Sequence, residues 1–295
     1  MNFINNFFVY RILVPKPLRT LIWKSFLKKK ILSFYSNTND IEIKKIKRFL
    51  LNNKTEIFPY EFIFNYDFNK IKVNYDKLKK LNYVDFSPNK KLFFKKSWSR
   101  KRIQKAYNQL LIEQDNDSPH RYLTKNFNVD KDSVVADIGC AEANFSLEII
   151  DKVKHIYLFE SNSNWLKPLN ATFEKYKNKI TIINKKLSNF ESEKTIDGKN
   201  FFKNKNINFL KIDVDGAEEE VLSGLSDFIK NSKQIKIAFC TYHKQNDFKL
   251  YSRFFLENGF QVENSKGYTL FYWDKNLKAP YLRRGLIRVK KSINS

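Results

Sequence analysis

The chain has 295 residues, a formal net charge of +24, and 42% hydrophobic and 16% aromatic residues. That length and apolar content suffice for a full core and exclude a disordered or low-complexity protein. Two cysteines, Cys140 and Cys240, are too few for a disulfide scaffold and lack paired zinc spacing, and a reducing compartment is expected.

The basic excess is 45 Lys against 10 Arg, in a chain also rich in Asn, Ile, Phe and Tyr. This reads as compositional drift toward solvated lysine rather than a selected polyanion surface, so nucleic acid is not an expected partner. The start, Met1 to Pro15, shows no basic leader or small-residue cleavage site, and Asn5, Asn6, Arg11 and Pro15 interrupt any span. A cytoplasmic protein is expected. Phe3 to Leu32 mixes Phe, Ile, Leu and Trp23 with Lys and Arg, which allows either a peripheral membrane contact or packing on the main domain.

Ile41 onward has helical spacing, Glu61 to Phe94 alternates aromatic and polar residues as short strands do, and Trp98 to Gln114 places Ile103, Ala106, Tyr107, Leu110 and Leu111 on one helical face. Asp115-Asn-Asp-Ser-Pro119 marks a boundary. Residues 1–115 are therefore read as a basic accessory region, 116–275 as the main domain and 276–295 as a basic C-terminal tail. In the main domain, strands are predicted at Val134 to Asp137, His155 to Phe159, Ile180 to Ile183, Ile207 to Asp213 and Ile235 to Thr241, separated by helix-length or mixed segments. Phe260 to Glu263 and Tyr268 to Trp273 flank a short turn and are predicted as a hairpin. The fold class is α/β: a doubly wound, Rossmann-like, mostly parallel sheet with one antiparallel strand.

Two stretches carry acid without Lys or Arg. Ile212 to Ile229 holds six carboxylates and starts at a strand exit, with Asp213, Asp215 and the turn residue Gly216. Ser133 to Asp151 has the same order of strand, small-residue turn and helix. Both predicted turns lie at the sheet edge where open α/β folds bind ligands. The first turn, Asp137-Ile-Gly139-Cys140-Ala141-Glu-Ala143, has one glycine where a dinucleotide fingerprint has three, and it offers acid and no cation. That suits a ligand with positive charge and no phosphate, such as S-adenosylmethionine. Glu160 ends the next strand, about twenty residues on, where an acid takes the ribose hydroxyls; the alternative is a cap for the following helix.

These residues resemble the FkbM-type methyltransferases, S-adenosylmethionine-dependent enzymes with a seven-stranded class I sheet. The likeness spans about Val134 to Trp273 and is most specific in Phe209-Leu-Lys-Ile-Asp213-Val-Asp215-Gly216-Ala-Glu218-Glu-Glu-Val-Leu222-Ser-Gly224. The family usually has Gly where this chain has Ala143. The resemblance implies that Asp137, Gly139, Cys140, Ala141 and Glu160 hold the methionine and ribose parts; Asp213, at the strand exit, could shape the donor pocket. The resemblance also implies Leu187, Ser188 and Asn189 beside the adenine.

An alcohol acceptor must lose a proton, and His243, two residues past a predicted strand on the same edge, is the favoured base, with Asp215 or Asp213 as alternative or partner. His120 and His155 read as structural. Asp213 and Asp215 provide two oxygen ligands and no obvious third, so no metal is expected. The expected activity is O-methylation of a glycan or small-molecule acceptor. An anionic acceptor could be received by Arg100 and Arg102 or by Arg283, Arg284 and Arg288. The rivals are a nucleic-acid methyltransferase and a non-catalytic scaffold.

Overall fold

The computed structural model describes residues 16–274 and 276–291. Two compact units divide the chain: the described part of Met1–Glu61 with Gly267–Arg283, and Phe62–Lys266 with the described residues from Arg284 onward.

In the first unit, α1 (Lys16–Phe34) is followed by α2 (Ile41–Asn52). Asp40 starts α2 by accepting the backbone N–H of Glu42 and Ile43 at 2.8 and 3.1 Å. Ile43, Ile46, Phe49 and Leu50 form the buried stripe of α2. Part of the segment read as a membrane-contact candidate, Phe3 to Pro15, lies outside the described residues. Within α1, Leu18, Leu21, Ile22 and Phe26 are exposed. No described helix is long and apolar enough to cross a membrane.

Tyr268 to Trp273 is not the predicted strand. Its backbone donors are taken singly, Thr269 bridging to Arg283 and Leu270 donating to Ile57, so no ladder forms.

The second unit opens with a small antiparallel sheet, β1 (Asn74–Asp76), β2 (Leu81–Ser87) and β3 (Lys90–Phe93), and then α3 (Arg100–Glu113), capped by Ser99. These residues, which the sequence groups with the accessory region, share a core with the main sheet through Val84, Leu92, Ile103 and Tyr107. The chain then runs β4 (Val134–Ile138), α4 (Asn144–Ile149), β5 (His155–Phe159), α5 (Leu166–Thr172), β6 (Ile180–Ile183), β7 (Lys186–Ser188), β8 (Thr195–Asp197), α6 (Gly198–Phe202), β9 (Phe209–Ile212), α7 (Glu218–Asn231), β10 (Ile235–Cys240), α8 (Asp247–Glu257), β11 (Gln261–Asn264) and β12 (Leu286–Lys291).

The seven-stranded sheet has the order β11-β12-β10-β9-β4-β5-β6, and only β12 runs antiparallel to its neighbours. The mostly parallel sheet is thus the one expected, but its antiparallel strand is Leu286–Lys291, inside the stretch read as a basic tail. Arg288 is buried there because its guanidinium donates to the carbonyls of Arg121 and Tyr122 at 2.6 and 3.2 Å. Its cation therefore satisfies buried backbone and is not presented to a ligand.

Apolar layers cover both faces, which is why the central strands read as near-continuous hydrophobic runs. Phe209 packs with Phe145 and Trp165 on one side, while Leu210 and Ile212 meet Leu225, Ile229 and Phe255 on the other. The chain leaves β4 toward β5 on one side, and β9 pairs on the other. Their carboxyl ends open a switch-point crevice.

Candidate active site at the carboxyl edge of the sheet

The first turn is built on close backbone approach. Gly139 has φ +76°, and a Cβ there would lie 2.0 Å from the carbonyl oxygen of Asp213, so only glycine fits beside the β9 exit. The Gly139 and Cys140 N–H groups both donate to Phe159 at 3.0 and 3.1 Å, fastening the turn to β5. Ala141 and Ala143 also adopt positive φ, 47° and 60°. At Ala143, where the resembling family has Gly, the side chain strains the backbone. Ala143→Gly is therefore expected to raise stability by about 0.5–1 kcal/mol in urea unfolding and Ala143→Val to lower it by more; a Gly variant less stable than wild type would contradict this. Gly224 in the acidic signature has a similar reason, since a Cβ there would sit 2.2 Å from the Ser188 carbonyl.

A cavity of about 370 Å³ opens between this turn and the β9 exit. Glu160, Asp213, Asp215 and Glu220 supply acid, Lys185 and Lys186 supply two cations, the first paired with Glu191, and Ile138, Phe159, Leu187 and Val221 supply apolar wall. Of the residues assigned to the cofactor, Gly139, Ala141, Glu160, Leu187 and Asp213 line it. Glu160 accepts the Ala141 N–H through one oxygen at 3.0 Å and the Asn162 N–H through the other at 2.7 Å.

The remaining four sit behind the cavity wall or beside it. Asp137 is fully buried, 3.1 Å from the Lys211 ammonium, and accepts the Ser146 hydroxyl at 2.7 Å. Cys140 is buried, with its thiol pushed well up by desolvation and by the Asp137 charge. Ser188 is buried under α7, and Asn189 donates to the Ser223 hydroxyl at 3.1 Å.

The turn itself has no cation, but Lys211 on β9 brings one beneath it and donates to the Gly139 carbonyl at 2.7 Å. Asp137 and Lys211 stand opposite each other in the β4–β9 register. Burial alone would lower the Lys211 pKa, yet Asp137 and Asp213 hold it above the ordinary lysine range.

Asp213 is the hub of the second half of the site. The Tyr122 hydroxyl donates to it at 2.7 Å and that of Tyr242 at 3.3 Å, while the Nε2 atoms of His120 and His243 lie 3.5 and 3.7 Å away. Burial would raise its pKa, but His120, Lys211 and His243 hold the carboxyl well below the usual range. His120, read as structural, is buried in this cluster, with its Nε2 also 3.6 Å from the Cys240 thiol. His155 contacts Thr181 at 2.9 Å on the sheet's far strands, in keeping with the structural reading. Sequence reasoning missed Tyr122, Tyr242 and Lys211 as site groups; His120-Arg-Tyr122 and Tyr242-His243 give at most the hint of paired aromatic donors.

His243 is buried between carboxylates. Its Nδ1 lies 2.8 Å from Glu218 Oε1, and its Nε2 lies 3.7 Å from both Asp213 and the fully exposed Asp215. Desolvation would lower its pKa, but Asp215, Glu218 and Asp213 outweigh it and push it up to about 10, so the imidazole is protonated at neutral pH. Because the folded value exceeds the unfolded one, this contribution to stability is complete below about pH 6.5 and is lost as pH rises toward 10. Urea unfolding at pH 7 and pH 10 is expected to differ by on the order of 3 kcal/mol from this source. His243→Gln should shrink that difference; an equal pH dependence in the variant would contradict the assignment.

Donor atoms of Asp213, Glu218 and His243 lie within 4.8 Å of one another. The same holds for donor atoms of His120, Asp213 and Cys240.

Several solved structures are similar. An FkbM methyltransferase from Methylobacillus flagellatus aligns over 65% of this chain and 53% of its own, at 15% identity and a TM-score of 0.43. This chain therefore spans about half the length of that protein. A precorrin-6y C5,15-methyltransferase from Geobacter metallireducens aligns over 56% and 83% (16% identity, TM-score 0.38), and TrmK from M. capricolum, solved with S-adenosylhomocysteine, over 59% and 70% (17%, 0.36). None of the curated proteins compared matches the chain. The family model for the methyltransferase FkbM domain matches residues 63–262, from ahead of the small sheet into β11, and on that match the chain belongs to the FkbM methyltransferase family.

Proposed function

We propose that this methyltransferase uses S-adenosylmethionine as its donor and methylates a hydroxyl oxygen on a glycan or small-molecule acceptor. The observation that carries the reading is the acidic, nucleoside-sized cavity at the switch point, lined by Glu160 and by Asp213 and Asp215. The residues fit the donor. Each Glu160 oxygen accepts one N–H and keeps a further lone pair, enough for two ribose hydroxyls. Ile138, Phe159, Leu187 and Val221 provide apolar contact for the base, and the carboxylates favour the ammonium and sulfonium charges. When bound, the donor supplies an electrophilic methyl group on a positively charged sulfur.

The chain's own task is then to align the acceptor and to take its proton. Alignment supplies up to about 7–11 kcal/mol in favourable intramolecular systems, and a positioned base about 10²- to 10⁴-fold. Asp215 faces solvent at the cavity with φ +53°, and we assign it the hydroxyl proton. His243, already protonated, steadies that carboxylate, which gives it a role other than the base expected from sequence. Asp213, fixed by two tyrosines, remains ionised as the floor of the site.

Four carboxylates outnumber the two lysines at this edge, which supports a neutral or cationic reacting group over a phosphate backbone, despite the +24 charge of the whole chain. The test is transfer of a labelled methyl group from S-adenosylmethionine to a panel of polyhydroxylated glycans and small alcohols, run beside RNA and DNA. Label on a hydroxyl acceptor is expected. Label on nucleic acid alone, weakened by salt, would overturn the acceptor class.

A further inference from the structure

Glu218 is the first residue of α7 and is fully buried, an unusual position for a carboxylate. Its Oε1 faces two partners from different loops. The Val214 N–H, in the loop after β9, donates to it at 3.2 Å, and His243 Nδ1, in the loop after β10, lies 2.8 Å away. One buried oxygen therefore joins the segment carrying Asp213 and Asp215 to the segment carrying His243. The negative charge at the start of α7 also suits the helix dipole.

We propose that Glu218 is a positioning residue, which fixes the His243 ring with Nδ1 inward and Nε2 toward Asp213 and Asp215. This deepens the proposed function and rests on it for any catalytic consequence, but the geometry belongs to the protein alone. A ring held at Nδ1 has one free direction for its other nitrogen, and that direction is toward the carboxylate assigned to receive the acceptor's proton. The charged groups around the ring are Asp213 and Asp215 from the β9 exit, Glu218 from α7, Asp247 from α8 and Lys244 beside it, with Lys211 below. Glu218 is the carboxylate within ion-pair distance of Nδ1, while Asp213 and Asp215 lie near Nε2.

The experiment is a titration of the three histidine rings of the full chain by NMR, in wild type and in Glu218→Gln. In wild type, His243 is expected to keep both ring protons well above pH 7. In Glu218→Gln its midpoint should fall by at least one pH unit, a tenfold change in proton affinity. An unshifted His243 midpoint in a folded Glu218→Gln protein would overturn the proposal. If the variant does not fold, the wild type still decides: a His243 midpoint near the ordinary 6.5, or a neutral ring whose only proton is on Nε2, would overturn it. Calorimetry with S-adenosylmethionine on the same wild-type sample tests the donor reading separately, since His243 can titrate as expected whether or not the donor binds.

Discussion

Glu160→Ala is expected to weaken S-adenosylmethionine binding by about a hundredfold. Two hydroxyl groups donating to a carboxylate are each worth roughly 1.5 kcal/mol or more, and about 3 kcal/mol corresponds to that loss in Kd. The same substitution frees the Ala141 and Asn162 N–H groups, so the turn that faces the donor also loosens. Glu160→Gln separates the two effects. The amide oxygen can still accept one hydroxyl, so its loss of affinity should fall between wild type and Glu160→Ala. Titration calorimetry reads both variants. An unchanged Kd in a folded Glu160→Ala protein would remove this residue from the donor site.

Lys211→Met is expected to destabilise the fold by about 3–5 kcal/mol, because it leaves Asp137 buried and charged with no cation beside it. The loss reaches the active edge directly, since the Lys211 ammonium also holds the Gly139 carbonyl. The pair itself need not be strongly stabilising, as burial penalises both ions. Removing both charges should accordingly be much less harmful than removing one. Asp137→Asn combined with Lys211→Met is expected to recover at least about 2 kcal/mol over Lys211→Met alone in urea unfolding. A double variant as unstable as the single one would mean that the ion pair is not what the lysine is there for.

The central strands were legible because helices cover both sheet faces, leaving apolar runs such as Val135-Ala136 and Phe209-Leu210 unbroken by solvent-facing residues. Their switch point located Gly139, Glu160, Asp213 and Asp215 from sequence alone. The strand Leu286–Lys291 was hidden by its charge. Arg288 reads as a tail cation until its carbonyl partners, more than 160 positions earlier, are known. Tyr268 to Trp273 misled for the converse reason: it alternates like a strand but has no partner strand for its donors.

The site divided in the same way. His243 could be placed on the sheet edge by spacing, but its raised pKa comes from Asp215, Glu218 and Asp213 together, and Glu218 sits in a run of three glutamates and reads as an ordinary helix start. His120 and Tyr122 are about ninety residues before Asp213, and only the fold brings them to it. Asp137 looked like a ligand-facing acid because its partner Lys211 is on another strand; the β4–β9 register shows that the two neutralise each other inside the sheet.

The most direct test of the account is calorimetric titration of the wild-type chain with S-adenosylmethionine, after the purified protein has been checked for retained S-adenosylhomocysteine by mass spectrometry. The account predicts saturable one-to-one binding at the Glu160 cavity. A folded protein that retains no S-adenosylhomocysteine and gives no binding heat would contradict the donor assignment and favour a scaffold that no longer transfers methyl groups.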